Sequence, residues 1–425
     1  MFVVSSLAVA ITVALIPFFG YLAAVTLAAL SAPRPGRPVE GADAGIGPLR
    51  FVVVIPAHDE EGVIAETVRS CLAIDYPPGL ARVVVIADNC VDATADAARA
   101  AGAEVVERRT LDRRSKGHAL EYLFGRFQGG ELGPEPDAYA LVDADTVVDP
   151  GLLRTFAGAL ARGCDWSQCY YTVRNPDASW RTRLMTYAFS LFNGVWPTGQ
   201  GRLGLGVGLK GNGMCFASGA LRRFPWRAYG LVEDLEFSWM LKLAGERVHF
   251  LREARVYGEM VSRGGAAAAS QRSRWEAGRR ALRGRFLGPL LRSEQFGIVR
   301  KTAYTIELVF PPLVALAATL ILASAVHPAS RMAPGLGPAA LALAPIHAAM
   351  AAILLVYALS PLRVMGLPAR HLGALLALPY YAAWKLFAAA RRRPVAWVRT
   401  AREPVGPGPA PAPAAPELLQ GDAHR

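Results

Sequence analysis

The chain has 425 residues, a hydrophobic fraction of 53% and a formal net charge of +12, with mean hydropathy +0.27, which leaves room for one large domain and several membrane elements. Five cysteines, an odd number without paired metal-ligand spacing, argue against a disulfide framework or a zinc site and for reduced thiols. The excess charge could suit nucleic acid, but its distribution argues otherwise: from Arg272 to Lys301 nine basic residues face only Glu276 and Glu294, directly before an apolar run, as suits anionic lipid headgroups.

In chain order, residues 1–30 carry no charged side chain. About 28 apolar or small residues after Phe2 suit a tilted transmembrane anchor. A cleavable signal peptide would need a basic start and a shorter apolar core. The Pro- and Gly-rich linker 31–48 follows, and Arg34, Arg37 and Arg50 predict that this side of the span is cytosolic.

Four hydrophobic runs come next: Phe51 to Ile55, Val83 to Ala87, a weaker one around Val105 and Val106, and Tyr139 to Val142. The first three are each followed by a helix-like stretch. That rhythm predicts an α/β domain over 49–270, with a parallel sheet and crossover helices. Ligands of such sheets gather beyond the carboxyl ends of the strands. Pro56-Ala57-His58-Asp59-Glu60-Glu61, Asp88-Asn89, and Asp143 with Asp145 wait there. Asp143 and Asp145, one residue apart at a strand tip, point the same way and can share one hard cation; the plainer alternative is two solvated turn acids. No phosphate-cradling glycine motif follows the first strand, which argues against dinucleotide dehydrogenases and P-loop enzymes.

Six segments in register carry a resemblance: Val53 to Glu61, Val85 to Thr94, Lys116 to Leu120, Asp143 to Asp145, Glu233-Asp234, and Gln271-Arg272-Ser273-Arg274-Trp275. Over roughly residues 48 to 280 the chain resembles the inverting, membrane-bound family 2 glycosyltransferases, close in pattern to synthases of cellulose, hyaluronan, chitin oligomers and poly-N-acetylglucosamine. The last segment matches the Gln-x-x-Arg-Trp signature of processive members. The resemblance implies a GT-A fold, a Rossmann-like mixed sheet with crossover helices, flanked by transmembrane helices. It also implies a metal-dependent hexosyltransferase of class EC 2.4.1.-, using Mg²⁺ or Mn²⁺.

The roles it implies are these. Asp145 would coordinate the metal, and Asp143 would contact the nucleotide or share the metal. Asp88, Pro56, Ala57 and Glu60 would frame the nucleoside, with Lys116 on the nucleotide or its phosphate. Asp88 has the alternative role of helix cap for the run beginning near Asp92, and Lys116 that of a surface charge. His58 and Asp59 depart from the family's usual Tyr-Asn pair, which weakens assignment of the base. Asp234 would be the general base, although Val232 replaces a frequent Thr and both acids could simply cap a helix. Gln271, Arg274 and Trp275 would close the site over the donor, unless they form a basic juxtamembrane helix with an anchoring Trp. The glycines from Gly204 to Gly213 suggest a flexible loop, either a lid or a plain connection.

Beyond a basic interfacial region at 271–300, in which Trp275, Leu282, Phe286 and Leu290 share a helical face, Ala303 to Val326 and Leu336 to Ser360 are expected to form a two-helix membrane hairpin over 301–360. Glu307 would reach the interface or line a sugar path. His371 to Ala390, interrupted by Pro379, predicts an interfacial or re-entrant helix within 361–403; Arg391 to Arg393 then favour three spans, and 404–425 a disordered tail. Trp397, Arg399, Thr400 and Arg402 resemble a tail segment that could fold back on the donor site.

Taken together, the expectation is a multi-pass protein of the bacterial inner membrane with a cytoplasmic catalytic domain. It would transfer a sugar from UDP-N-acetylglucosamine or UDP-glucose, with inversion, to a growing β-linked saccharide. A single addition to a polyprenyl or other lipid acceptor is the nearer alternative, and a non-catalytic scaffold the more distant one. Partners would be the donor, a saccharide or lipid-linked acceptor, membrane lipids, and further copies or accessory export proteins.

Overall fold

The computed structural model describes the backbone of residues 2–34, 49–260, 266–325 and 337–380, and their side chains except at 2–5, 266–275 and 337–341. The loop with Pro328 and Pro334, most of the 31–48 linker, Arg391 to Arg393, Trp397 to Arg402 and the 404–425 tail lie outside the described residues.

The four hydrophobic runs are strands. They are β1 (Phe51–Ala57), β2 (Ala81–Asp88), β3 (Glu104–Arg108) and β4 (Ala138–Leu141), and all pair in parallel. Along β1, Phe51, Val53 and Ile55 pack with Ile64, Val68 and Phe156 on one face, while Val52 and Val54 pack with Leu120, Leu123 and Phe127 on the other. A strand covered on both faces has no place for alternating polar residues, which is why these runs are continuously apolar.

Four further strands complete an eight-stranded mixed sheet: β5 (Thr146–Val148), β6 (Trp166–Val173), β7 (Met214–Ala217) and β8 (Val248–Gly258), in the order β3-β2-β1-β4-β7-β6-β8-β5. β7 runs antiparallel to both β4 and β6. Between Cys169 and Tyr170 the pairing of β6 jumps from Leu251 to Arg255, so Arg252, Glu253 and Ala254 bulge out of β8.

Under the β6–β8 end lie the apolar helices. Helix α1 (Phe2–Leu30) contains a 25-residue stretch, Ser6–Leu30, of mean hydropathy 2.2, and the helix Gly337–Val364 contains a 23-residue one, Ala342–Val364, of 2.0. Both are long and apolar enough to cross a bilayer. The expected span over Ala303 to Val326 is built from two helices, Ile298–Val309 and Leu313–Ser324, bent by 92°. Pro311 and Pro312 fill the break, where proline cannot donate the backbone hydrogen bonds a helix needs. Of the segment His371 to Ala390, a 3₁₀ stretch covers Ala369–Ala377, and residues 381–390 lie outside the described residues.

The apolar helices and the sheet domain form one packed body. Leu15, Phe19 and Leu22 of α1 cluster with Tyr170 of β6, Tyr187, Leu316 and Tyr357. A Cβ at Gly199 would sit 2.0 Å from the Val25 carbonyl oxygen of α1, so only glycine permits that contact. His347 ties three apolar helices together, with Nε2 2.8 Å from Thr12 Oγ1 and Nδ1 3.2 Å from Ser324 Oγ.

Candidate active site

The loops after β1 and β2 are stitched together. Asp59 accepts from Val91 N at 2.7 Å, Glu61 from Ala93 N at 3.0 Å and Asp92 from Glu61 N at 3.3 Å. Glu60 N donates to Thr94 Oγ1 at 2.7 Å, and His58 Nδ1 meets the Asp88 carbonyl at 2.7 Å. Both turns need left-handed backbone, at Asp59 (φ 54) and Asn89 (φ 53), a conformation Asn and Asp tolerate better than most residues. Pro56 and Ala57, paired with Ile86 and Ala87, form the floor beside this edge.

Asp88 does not cap the following helix, because Asp92 Oδ1 accepts from Thr94 N at 2.9 Å there. Instead Asp88 Oδ1 takes a 2.5 Å bond from Arg108 Nη1, and the two side chains keep only 11% and 4% of their exposure. Asn89 Nδ2 adds a 3.1 Å bond to the same oxygen. Asp88 is thus rigidly placed at the strand edge, with one oxygen already engaged.

The Asp143–Asp145 turn is held through its backbone. Asn212, fully buried, accepts from Asp143 N at 3.1 Å and donates to Thr146 Oγ1 at 2.8 Å. Thr67 donates to the Ala144 carbonyl at 2.7 Å and accepts from Thr146 N at 3.1 Å. Ala144 is buried between two half-buried aspartates, as alternation at a strand tip requires.

Lys116 opens helix α4 (Lys116–Gln128) behind the capping Ser115. Its ammonium pairs with Asp143, donates to the Gly211 carbonyl at 2.6 Å and stands 4.0 Å from Glu233 Oε1. The following Gly117 has a steric reason: a Cβ there would lie 1.9 Å from the Ala228 carbonyl oxygen, on the segment that leads into Glu233. Glu233 and Asp234 begin helix α9 (Glu233–Leu243), and a Cβ at Gly211 would stand 3.4 Å from Asp234 Oδ2 and 3.8 Å from Lys116 Nζ. Residues from four parts of the chain therefore meet at one point.

Charge within this group is strongly interdependent. Burial, opposed by the Leu235 backbone N–H, Lys116 and Lys210 and reinforced by Asp143, raises the Asp234 carboxyl above its ordinary range. Burial likewise raises Glu233, with Asp234 adding to the shift and Lys116 opposing it. For Lys116, burial alone would lower the pKa, but Asp143, Glu233 and Asp234 outweigh it and the ammonium is held more firmly than usual. Lys210 goes the other way, down to about 8, through burial and then the nearby Arg279.

The glycine-containing segment before β7 is a wall rather than a flexible lid. Val207, Leu209 and Asn212 are buried, Leu209 N donates to Ser238 Oγ at 2.7 Å, and Lys210 N to Gln168 Oε1 at 2.8 Å. Asn212, Gln168 and Ser238 are thus supporting residues with no motif to mark them. Gln168 lies on β6 and Ser238 on helix α9, and a lone polar residue within an otherwise apolar run was the available signal.

Gln271, Arg274 and Trp275 lie in the amino-terminal part of helix α10 (Ala266–Arg292), and their side chains lie outside the described residues. Further along, Leu282, Phe286 and Leu290 are buried on one face as the periodicity predicts. Arg285 of α10 pairs with the buried Glu236 of α9, which also accepts from Gly230 N at 2.8 Å. Helix α10 therefore packs on the helix that carries Asp234.

Asp143 and Asp145 offer hard carboxylate oxygens of the kind Mg²⁺ and Mn²⁺ prefer, and their bond-pinned turn suits a fixed coordination geometry. Among the described residues, the tight three-residue group of ligating side chains is a different one, Asp59, Cys90 and Asp92. Its carboxylates are already spent on stitching the two loops together.

A sequence profile for the family described as "Glycosyltransferase like family 2" matches residues 48–278. Beta-monoglucosyldiacylglycerol synthase of Trichormus variabilis is 28% identical over 242 residues, covering 55% of this chain and 49% of the relative. The protein of the same name from Nostoc sp. matches with the same figures. The chain spans about half the length of the curated relatives it matches. Mannosyltransferase PcManGT from Pyrobaculum calidifontis, in complex with GDP-Man and Mn²⁺, superposes with a TM-score of 0.51 at 17% identity, covering 83% of this chain and 98% of that one. That likeness is one of fold. The profile takes in more than half of the chain, including β1 to β8, the Asp143–Asp145 turn and the start of α9, and the chain belongs to glycosyltransferase family 2, on a GT-A fold.

Proposed function

We propose that the protein is a membrane-seated, inverting glycosyltransferase that moves a hexose from a nucleotide diphosphate sugar to a lipid or lipid-linked acceptor, with Asp234 as general base. The observation that carries this reading is the junction of Lys116 with Asp143, Gly211 and Glu233 beside Asp234, at the carboxyl edge of the parallel strands. In one displacement, the acceptor oxygen forms its bond to the anomeric carbon while the bond to the diphosphate breaks. The acceptor's proton goes to Asp234, whose raised basicity suits removal from a hydroxyl. Lys116 supplies positive charge next to the leaving group, and the Asp88 edge frames the nucleoside. Asp145, with Asp143, would hold a Mg²⁺ or Mn²⁺ ion, which when bound neutralises charge on the diphosphate.

The lipid acceptor is supported by the names of the matched relatives and by the packing of two membrane-length helices against the sheet domain. Arg34 and Arg363, at the carboxyl ends of these helices, support a cytosolic sheet domain. A polymerising reading rests on one feature, the Gln271 to Trp275 signature on α10.

The test is incubation of purified protein with UDP-glucose, UDP-N-acetylglucosamine or GDP-mannose, with and without Mn²⁺, and with diacylglycerol or polyprenyl phosphate. Mass analysis should show one sugar per lipid. A ladder of products would favour polymerisation, and neither transfer nor donor hydrolysis from any sugar would defeat both readings.

A further inference from the structure

A polar cavity lined by none of the residues of the Lys116 junction lies elsewhere in the molecule. It has a volume of about 320 Å³ and is lined by Arg34, Arg255, Leu362, Arg363, Met365 and Gly366. Three separate segments contribute its arginines: Arg34 follows α1, Arg255 lies on β8 beyond the bulge, and Arg363 ends the helix Gly337–Val364. Among the described residues no carboxylate lines it. Among the described residues none of the three arginines has an ion-pair partner, although most other site and surface arginines of the sheet domain do.

The floor of this region adds to the positive charge. Arg252, 7% exposed, donates to the Pro33 carbonyl at 2.9 Å and reaches the Val364 carbonyl at 3.4 Å, joining the ends of both apolar helices. Burial first, then Arg363 and Arg202, weaken its hold on its proton, and only Glu253 opposes them. Two helix carboxyl ends together supply about one negative charge. Arg34, Arg252, Arg255 and Arg363 supply four positive ones, and Glu253, 3.8 Å from Arg252, adds one more negative charge, so about two positive charges are left unmet.

We propose that this cavity binds the phosphate of an anionic phospholipid headgroup. Guanidinium groups converging from three segments match phosphate oxygens by paired hydrogen bonds. The lipid source follows from position: the cavity opens where both membrane-length helices end, and those helices present exposed Leu27, Leu355 and Leu359 for acyl chains. The inference rests on the membrane placement proposed above but not on the transfer chemistry. Its function would be to seat the sheet domain at a negatively charged leaflet and fix the height of the catalytic edge above it.

The test uses the full chain carrying Asp234→Asn, so that transfer plays no part, in phosphatidylcholine nanodiscs doped with phosphatidylglycerol. Lipid retained on the released protein is read by native mass spectrometry. The parent chain should retain phosphatidylglycerol over phosphatidylcholine, Arg34→Gln/Arg363→Gln should lose that preference by about tenfold or more, and Arg34→Lys/Arg363→Lys should keep much of it. The exposed pair Arg69→Gln/Arg162→Gln, with the same loss of charge, should retain it, and circular dichroism confirms that each variant is folded. Equal retention by the glutamine variant would overturn the proposal, as would equal retention of phosphatidylcholine. If millimolar inorganic phosphate or UDP strips the lipid, the site serves free anions and the lipid assignment falls. A chain that does not enter discs refutes the membrane placement itself.

Discussion

The ammonium of Lys242 lies between both carboxylate oxygens of Glu307, at 2.6 and 2.8 Å, with only 2% of the lysine side chain exposed. Lys242 is in the last turn of α9, whose first turn carries Glu233 and Asp234, and Glu307 is on the helix that precedes the Pro311-Pro312 bend. Trp239 and Tyr304 enclose the ammonium, with ring centres at 4.9 and 5.1 Å. Glu307 is therefore fixed by a buried lysine. It anchors the helix that presents Asp234.

Removing one member leaves a buried charge without its partner. Glu307→Gln or Lys242→Met should cost about 3–5 kcal/mol of stability, whereas Lys242→Met with Glu307→Leu should recover most of it, since an apolar pair replaces the ion pair at similar volume. Thermal unfolding in detergent measures both. A double variant as unstable as the singles would mean that the pair is needed for more than mutual neutralisation.

At the other end of α9, Asp234→Asn should leave donor binding within a few fold and reduce transfer by about 10²-fold or more. Calorimetry with UDP and a turnover assay separate the two effects. Unaltered turnover would remove Asp234 from the chemistry.

The pH dependence follows from the raised carboxyls of Glu233 and Asp234. A base must be unprotonated, so transfer should fall as pH drops through a value above the ordinary carboxylate range, earlier than for an exposed aspartate. Lys210→Met removes one of the positive neighbours that hold the Asp234 carboxyl down. Its acidic limb should therefore shift to higher pH. An unshifted limb would mean that Lys210 does not act on the base through charge.

Metal binding offers an assay independent of turnover. Asp145→Ala should weaken Mn²⁺ binding, read by electron paramagnetic resonance, by about tenfold or more. Asp143→Asn should weaken it less and also release Lys116, lowering affinity for UDP. Wild-type Mn²⁺ affinity in Asp145→Ala would move the metal elsewhere.

Gly199 reports on how the anchor meets the sheet domain. Alanine there would drive its Cβ to 2.0 Å from the Val25 carbonyl, an overpacking that typically costs about 1–3 kcal/mol. The melting temperature of Gly199→Ala should fall by several degrees, while Gly201→Ala, where nothing lies within 4 Å, should not change it.

Much of the first half of the fold was legible because its signals are local. Strands covered on both faces read as unbroken apolar runs, and β1 to β4 stand where those runs are. The later strands were not visible in the same way. β5 has three residues and β7 four, and β8 carries Arg252, Glu253 and Arg255 through a bulge, so neither length nor alternation marks them. The long apolar run beginning at Ala303 was readable as membrane-like, but its 92° bend depended on how Pro311 and Pro312 were accommodated.

The amino-acid order alone determined that acids would stand at strand ends, that Asp143 and Asp145 would share a side, and that residues 1–30 and a run ending near Ser360 were long and apolar enough to cross a bilayer. These follow from periodicity and composition over a few residues. Only the tertiary structure decided that Lys116 joins Asp143 to Glu233, that Asp88 is held by Arg108, that Lys242 locks α9 to Glu307 and that three arginines meet in one cavity. Those partners lie 20 to several hundred positions apart in the chain. A charge selects its neighbour by distance and burial in space, and the folding of the sheet and helices sets both.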